Sequence, residues 1–312
     1  MTSLPIFDPE KYGIIAKLPE AFDHSFTGTF GECQRMALYQ TIWGRRSKYA
    51  LEYSLLWGGV FHDIADTWQK TQDVRAIAEI IEANIPEVVD DRYGRNRGRM
   101  QELLIAWLEF RKNEPITVLR SEQPATVICD HPCPYYPNEP KGCNLTYGGR
   151  LDNIVRWMSY VGPLDFKTTV MDESDPISQF RPSHQMGGYT WMTTHLMGEV
   201  CWGVIIERLV CNKSKIKIDR FPIPYSQDLV REWVETERLR HEEIRRKFAE
   251  HPYDEIHWTQ NFGRCWQPYS CAYRDFCLSP REMNFRMRWI RDNTIEHRFD
   301  FRKMEGADAV PS

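Results

Sequence analysis

Residues 148–169, GGRLDNIVRWMSYVGPLDFKTT, decide the fold. β-Branched and aromatic residues sit between Gly and Pro punctuation, so the stretch reads as two adjacent strands. Asp152 falls in the first strand, and Asp165 and Lys167 fall in the second. Two positions apart on an extended strand, Asp165 and Lys167 emerge from the same face. A turn at Gly162-Pro163 is expected to let the strands pair and to bring Asp152 alongside Asp165. Facing carboxylates repel unless a cation lies between them, and a hard divalent ion such as Mg2+ or Mn2+ takes oxygen ligands. Such an ion polarises a phosphodiester and lowers the pKa of a bound water. Lys167 would then orient the attacking water or neutralise charge building on the phosphate. Taken alone, Asp-x-Lys is an ordinary surface ion pair. The apolar flank Val161, Leu164 and Phe166 marks a mostly buried strand, where such charges are costly without a metal or partners.

Outward from this segment the period changes. Before it, residues 24–57, 58–83 and 99–112 carry apolar residues at helical spacing, with a polar loop from Asn84 to Arg97. After Pro115 come the β-rich runs ITVL and ATVIC, then the pair of strands above. Ser178 to Leu196 reads as helix, and CWGVIIERLVC and KIKIDRFPI read as two strands joined at Asn212-Lys213. Ser226 caps a long charged helix reaching about Glu250, and the last dozen residues read as a frayed tail. Helices, three strands, helix, two strands, long helix and a cysteine-rich end imply an α/β sheet covered on both faces. The expected organisation is a single elaborated domain, 1–312. It has an N-terminal helical region 24–115, a core 116–224, and a C-terminal helix with cysteine segment 225–300.

Forty basic and 44 acidic residues among 312 leave a net charge of −4, so composition does not announce a nucleic-acid coat. No run reaches the roughly 18 apolar residues of a membrane span, and the N-terminus MTSLPIFDPEKYG lacks a signal-peptide pattern. A cytoplasmic protein without membrane contact is expected. Arg92, Tyr93, Arg95 and Arg97 form the first candidate cluster for DNA phosphates and unstacked bases, although a solubilising loop explains them equally well. A P-loop glycine pattern is absent, which argues against ATP hydrolysis by this chain.

Nine cysteines in such a compartment argue for metal ligands and small core residues over disulfides. CWQPYSCAYRDFC places Cys265, Cys271 and Cys277 six apart. With the distant Cys33 they suggest a four-thiolate site, suited to an iron–sulfur cluster. Zinc is the nearest competitor, but its usual Cys-x-x-Cys knuckles are missing. Cys129, Cys133 and Cys143 with His131 lie in CDHPCPYYPNEPKGCN. That segment reads as an ordinary loop, with a small zinc site as the alternative. Cys201 and Cys211 flank a core strand and read as buried small residues.

The acid–lysine segment resembles motifs II and III of the PD-(D/E)XK nucleases, specifically their RecB-like branch. WGGVFHDIADTW, residues 57–68, resembles that branch's Gly-x-x-x-His motif at Gly58 and His62. HQMGGYTWM, residues 184–192, resembles its Gln-x-x-x-Tyr motif at Gln185 and Tyr189, and HSFTGTFGECQRMALYQ, residues 24–40, resembles its entry segment ending in a cysteine. The resemblance implies a restriction-endonuclease-like mixed central sheet flanked by helices. It implies metal ligation by His62, Asp152 and Asp165, with the Phe166 carbonyl as a fourth ligand, and Lys167 as the catalytic lysine. Gln185 and Tyr189, one helical turn apart, would face the site and hold the DNA strand or the lysine. Cys33, Cys265, Cys271 and Cys277 would hold a structural 4Fe–4S cluster. The implied activity is a metal-dependent DNA exonuclease acting on single strands or ends. Its setting would be recombination and repair, phage DNA processing or CRISPR adaptation, with protein partners from such complexes. A noncatalytic DNA-binding or assembly subunit is the rival, and the joint presence of His62, Asp152, Asp165 and Lys167 speaks against it.

Overall fold

The computed structural model describes residues 7–48, 53–87, 93–113, 116–172, 175, 178–181, 183–266, 270–279 and 282–298. The chain forms two compact units. One comprises Met1–Leu51, Leu145–Gly148 and Val234–Ser312, and the other Glu52–Asn144 and Gly149–Trp233. The described elements are β1 (Arg45–Ser47), β2 (Thr117–Cys129), β3 (Leu145–Trp157), β4 (Tyr160–Thr169), β5 (Gly203–Cys211), β6 (Ile216–Pro224) and β7 (Thr294–Glu296). The helices are α1 (His24–Glu32), α2 (Gln34–Ala37), α3 (Tyr53–Thr71), α4 (Val74–Asn84), α5 (Arg97–Asn113), α6 (His184–Met197), α7 (Gln227–Glu250), α8 (Arg274–Leu278) and α9 (Met283–Asn293).

In the second unit the sheet order is β2-β3-β4-β5-β6. Pairing is antiparallel for β3–β4, parallel for β4–β5 and antiparallel for β5–β6. The sheet is therefore mixed, as expected. Every residue of β5, GVIIERLVC, is buried, the pattern of a strand covered on both faces. Phe166 of β4 packs edge-on against Phe61 of α3 and Trp107 of α5, with ring centroids 5.7 and 6.1 Å apart. Leu164, Ile205 and Leu209 complete that core. Because side chains alternate along a strand, Asp165 and Lys167 are left to the other face. No described helix is long and apolar enough to cross a membrane.

Three local expectations are corrected. The β3–β4 turn lies at Met158-Ser159, not at Gly162-Pro163, which pair inside the ladder with Val155 and Ile154. Met158 adopts φ 55° to close the turn. Pro163, which has no N–H, sits one residue before the β4–β5 pairing begins at Leu164↔Ile205. The 58–83 helix is two helices, broken where Gln72 takes φ 51° and Asp73 accepts a cap bond from Arg75 N at 2.8 Å. The 24–57 helix stops at Cys33, whose backbone is extended (φ −160°, ψ 109°). It resumes as α2 and a π-helical turn, Leu38–Ile42, and gives way to β1.

The first unit has its own core, formed by Phe26 and Phe30 of α1, Tyr39, Trp43, Trp258, Phe276 and Ile290. Asp23 starts α1 by accepting from Phe26 N at 2.8 Å, and β1 pairs antiparallel with β7.

Candidate active site

His62 extends from α3, one turn after Gly58. A Cβ at Gly58 would stand 3.2 Å from Thr168 Oγ1 on β4, so a bare backbone lets the helix lean onto the strand that carries Asp165 and Lys167. His62 Nδ1 lies 3.2 Å from Asp152 Oδ1. The other Asp152 oxygen accepts the Phe166 backbone N–H at 2.9 Å, which ties the β3 carboxylate to β4. Lys167 Nζ lies 2.7 Å from Asp165 Oδ2 and donates to Gln185 Oε1 at 3.2 Å. The Gln185 amide nitrogen donates to Asp165 Oδ1 at 3.3 Å and to Tyr189 Oη at 2.9 Å. Tyr189 Oη in turn donates to the Arg150 carbonyl at 2.9 Å. One hydrogen-bonded chain thus runs from β4 through α6 to β3. It links Asp165, Lys167, Gln185 and Tyr189, and the His62–Asp152 pair joins β4 at the Phe166 N–H. Arg150 enters this chain through its backbone carbonyl.

The two acids respond differently to their surroundings. Asp165 is 1% exposed. Burial first, and the neighbouring Asp152 charge as well, push its carboxyl up to about 6 against the pull of Lys167. Burial also raises Asp152, but His62, Lys167 and the Phe166 N–H more than reverse that and hold it below the ordinary carboxylate range. A pair of buried acids with unequal proton affinities is the electrostatic state a divalent cation would relieve. The donor set is oxygen and imidazole, which fits such an ion.

Cys33, Cys265, Cys271 and Cys277 all belong to the first unit. Burial raises the Cys271 thiol, with smaller contributions from Cys33, Cys265 and Cys277, but no three of these four sulfurs lie within 4.8 Å of one another. Arg35 and Gln260 point donors at Cys277 Sγ, at 3.7 and 2.8 Å, suited to a thiolate. The proposed arginine cluster fares otherwise. Arg95 is 8% exposed and lies over the rings of Tyr53 and Tyr93. Arg97 bonds to the carbonyls of Ile85 and Glu82 at 3.0 and 3.3 Å. Both guanidinium groups have partners within the fold. Arg92 lies outside the described residues.

A mixed sheet carrying two acids and a lysine on adjacent strands is the arrangement of a metal-dependent nuclease. The family model of the PD-(D/E)XK nuclease superfamily matches residues 24–278, and the chain belongs to that superfamily. Its fold is accordingly restriction-endonuclease-like, and membership carries with it a divalent metal and a DNA substrate. Among solved structures, one titled "Crystal structure of SSO0001" is 12% identical, with a TM-score of 0.26 over 59% of this chain and 74% of that one. That likeness is too slight to carry an argument. No curated protein matches the chain.

Proposed function

We propose that this chain is a RecB-like DNA exonuclease that acts on single strands or ends, uses Mg2+ or Mn2+, and carries a structural 4Fe–4S cluster. The observation that carries the reading is two polar pairs on adjoining elements, His62 Nδ1 3.2 Å from Asp152 and Lys167 Nζ 2.7 Å from Asp165, tied together where the Phe166 N–H meets Asp152. His62, Asp152, Asp165 and the Phe166 carbonyl would hold the ion. Phe166 N–H already points at Asp152, and in an extended strand the carbonyl of the same residue faces the same side. The ion supplies Lewis acidity to the phosphodiester and acidifies water. Lys167 positions the attacking water and offsets charge on the phosphate. Gln185 holds Lys167 and Asp165 in register, and Tyr189 anchors Gln185 to the β3 backbone. Cys33, Cys265, Cys271 and Cys277 would bind the cluster and tie the two ends of the first unit together. The cytoplasm, with its reduced thiols, suits this chemistry.

End-labelled single-stranded, blunt, tailed and circular DNA, incubated with wild type and with Asp165→Ala in Mn2+, tests the enzyme. Loss of label from linear forms by wild type alone is the expected result. Equal silence of both proteins on all forms would make the chain a DNA-binding or assembly subunit. Cleavage confined to RNA in a competition assay would reassign the substrate. Anaerobically purified protein should be brown, absorb at about 400 nm and hold about four iron atoms.

A further inference from the structure

In the second unit, the Cys129, Cys133 and Cys143 sulfurs and a ring nitrogen of His195 all lie within 4.8 Å of one another. Cys129 ends β2, Cys133 and Cys143 belong to the following loop, and His195 is in the last turn of α6. We propose that these four residues form a tetrahedral zinc site that fixes α6 to the loop entering β3.

The orientation of the imidazole, the donors aimed at the sulfurs and the bent backbone point to a metal. His195 Nδ1 lies 2.9 Å from the Trp191 carbonyl, which assigns the proton to Nδ1 and leaves Nε2 with its lone pair. That Nε2 is buried and has no hydrogen-bond partner among the described residues. Metal-bound imidazoles are oriented by just such a bond from the second nitrogen to a carbonyl. Donors converge on the sulfurs: Cys143 N–H on Cys129 Sγ at 3.2 Å and Trp191 Nε1–H on Cys143 Sγ at 3.3 Å, contacts that stabilise thiolates. Cys133 Sγ stands at hydrogen-bonding distance from Cys143 Sγ, 3.2 Å, so the two are not joined by a disulfide of about 2.05 Å. The backbone is also bent to build the pocket. Gly142 has φ +52°, and a Cβ there would fall 1.8 Å from the His131 carbonyl oxygen, so only glycine lets the loop close. His131 itself is turned out to Asp130, with its side chain 68% exposed.

Three soft sulfurs and one imidazole in a buried, closed pocket suit structural Zn2+ over a hard ion. Binding would release three thiol protons to solvent and leave one net negative charge, which the two N–H donors offset.

The test is metal content of the full chain purified with reductant and without chelator. Catalytically silenced Lys167→Ala protein serves as well as wild type, which separates this site from the catalytic reading. About one zinc per chain is expected, falling at least five-fold in His195→Ala and Cys143→Ser and unchanged in His131→Ala. Cys271→Ser should alter iron alone. Should the pocket variants fail to fold, Co2+ exchanged into wild type should still give the visible bands of a tetrahedral thiolate site. Zinc-free wild type without those bands, zinc retained in soluble His195→Ala, or a Cys133–Cys143 disulfide found by mass spectrometry would each overturn the site.

Discussion

The acid site and the Cys–His pocket are both buried polar clusters in the same unit, and they meet burial in opposite ways. Asp152 and Asp165 come from neighbouring strands, and burial and like charge raise Asp165. The pocket instead buries three sulfurs and an imidazole, with N–H donors already aimed at two of the sulfurs. Without its ion the acid site is electrostatically strained at neutral pH, whereas the pocket leaves the buried His195 Nε2 without a hydrogen-bond partner among the described residues. Strain at the first should therefore be traded for catalysis, and metal at the second for stability.

Asp165→Asn makes the largest difference between them. It should lower nuclease turnover by about a thousand-fold while leaving the metal-free melting temperature unchanged or higher, because it removes a charge that burial disfavours. Parallel turnover and calorimetric measurements check this, and a steep loss of stability would place Asp165 among structural residues. Zinc extraction, or Cys143→Ser, should do the reverse. The melting temperature should fall by about 10 °C, and the residual folded fraction should cleave DNA at a near-normal rate.

How far the sequence reveals each site follows from the same contrast. Asp165 and Lys167 are two apart on one strand, and the strand period alone places them together. Gly58 and His62, like Gln185 and Tyr189, are four apart on helices, so local periodicity again suffices. The pocket offers no such regularity. His195 lies 52 positions after Cys143 and meets it only because α6 returns past the β2–β3 loop. Sequence proximity favours His131 instead, which the structure turns to solvent. The β3–β4 turn was hidden for a related reason. Gly162-Pro163 has turn composition but lies in the ladder, while Met158 takes a left-handed conformation that its side chain does not advertise.

The pH dependence of the metal-free protein sharpens the comparison further. The Asp165 carboxyl titrates at about 6 in the fold, above its usual value. The stability linked to that shift is fully present below the unfolded value, about 3.9, and is lost as pH rises through about 6. Wild type without metal should therefore lose on the order of 2 kcal/mol between pH 4 and 6.5 relative to Asp165→Asn. Added Mn2+ should abolish the difference. Chemical denaturation across that range gives the answer, and a flat difference would mean that the site does not store this strain.

Two smaller effects probe how firmly the acid site is held. Tyr189→Phe removes the bond to the Arg150 carbonyl and one partner of the Gln185 amide, leaving the aromatic packing intact. About ten-fold slower turnover with little change in stability is expected, since Gln185 keeps its contacts to Lys167 and Asp165. Gly58→Ala is smaller still. Its new methyl would stand 3.2 Å from Thr168 Oγ1, a contact relieved by a few tenths of an ångström of movement between α3 and β4. That movement acts on His62, one turn along, before it acts on Asp165 or Lys167, which belong to the strand. The expected signature is a weaker apparent affinity for Mn2+, by about three-fold, with turnover at saturating metal preserved. A fall in turnover that excess Mn2+ does not restore would show that the glycine positions the lysine strand and not the histidine.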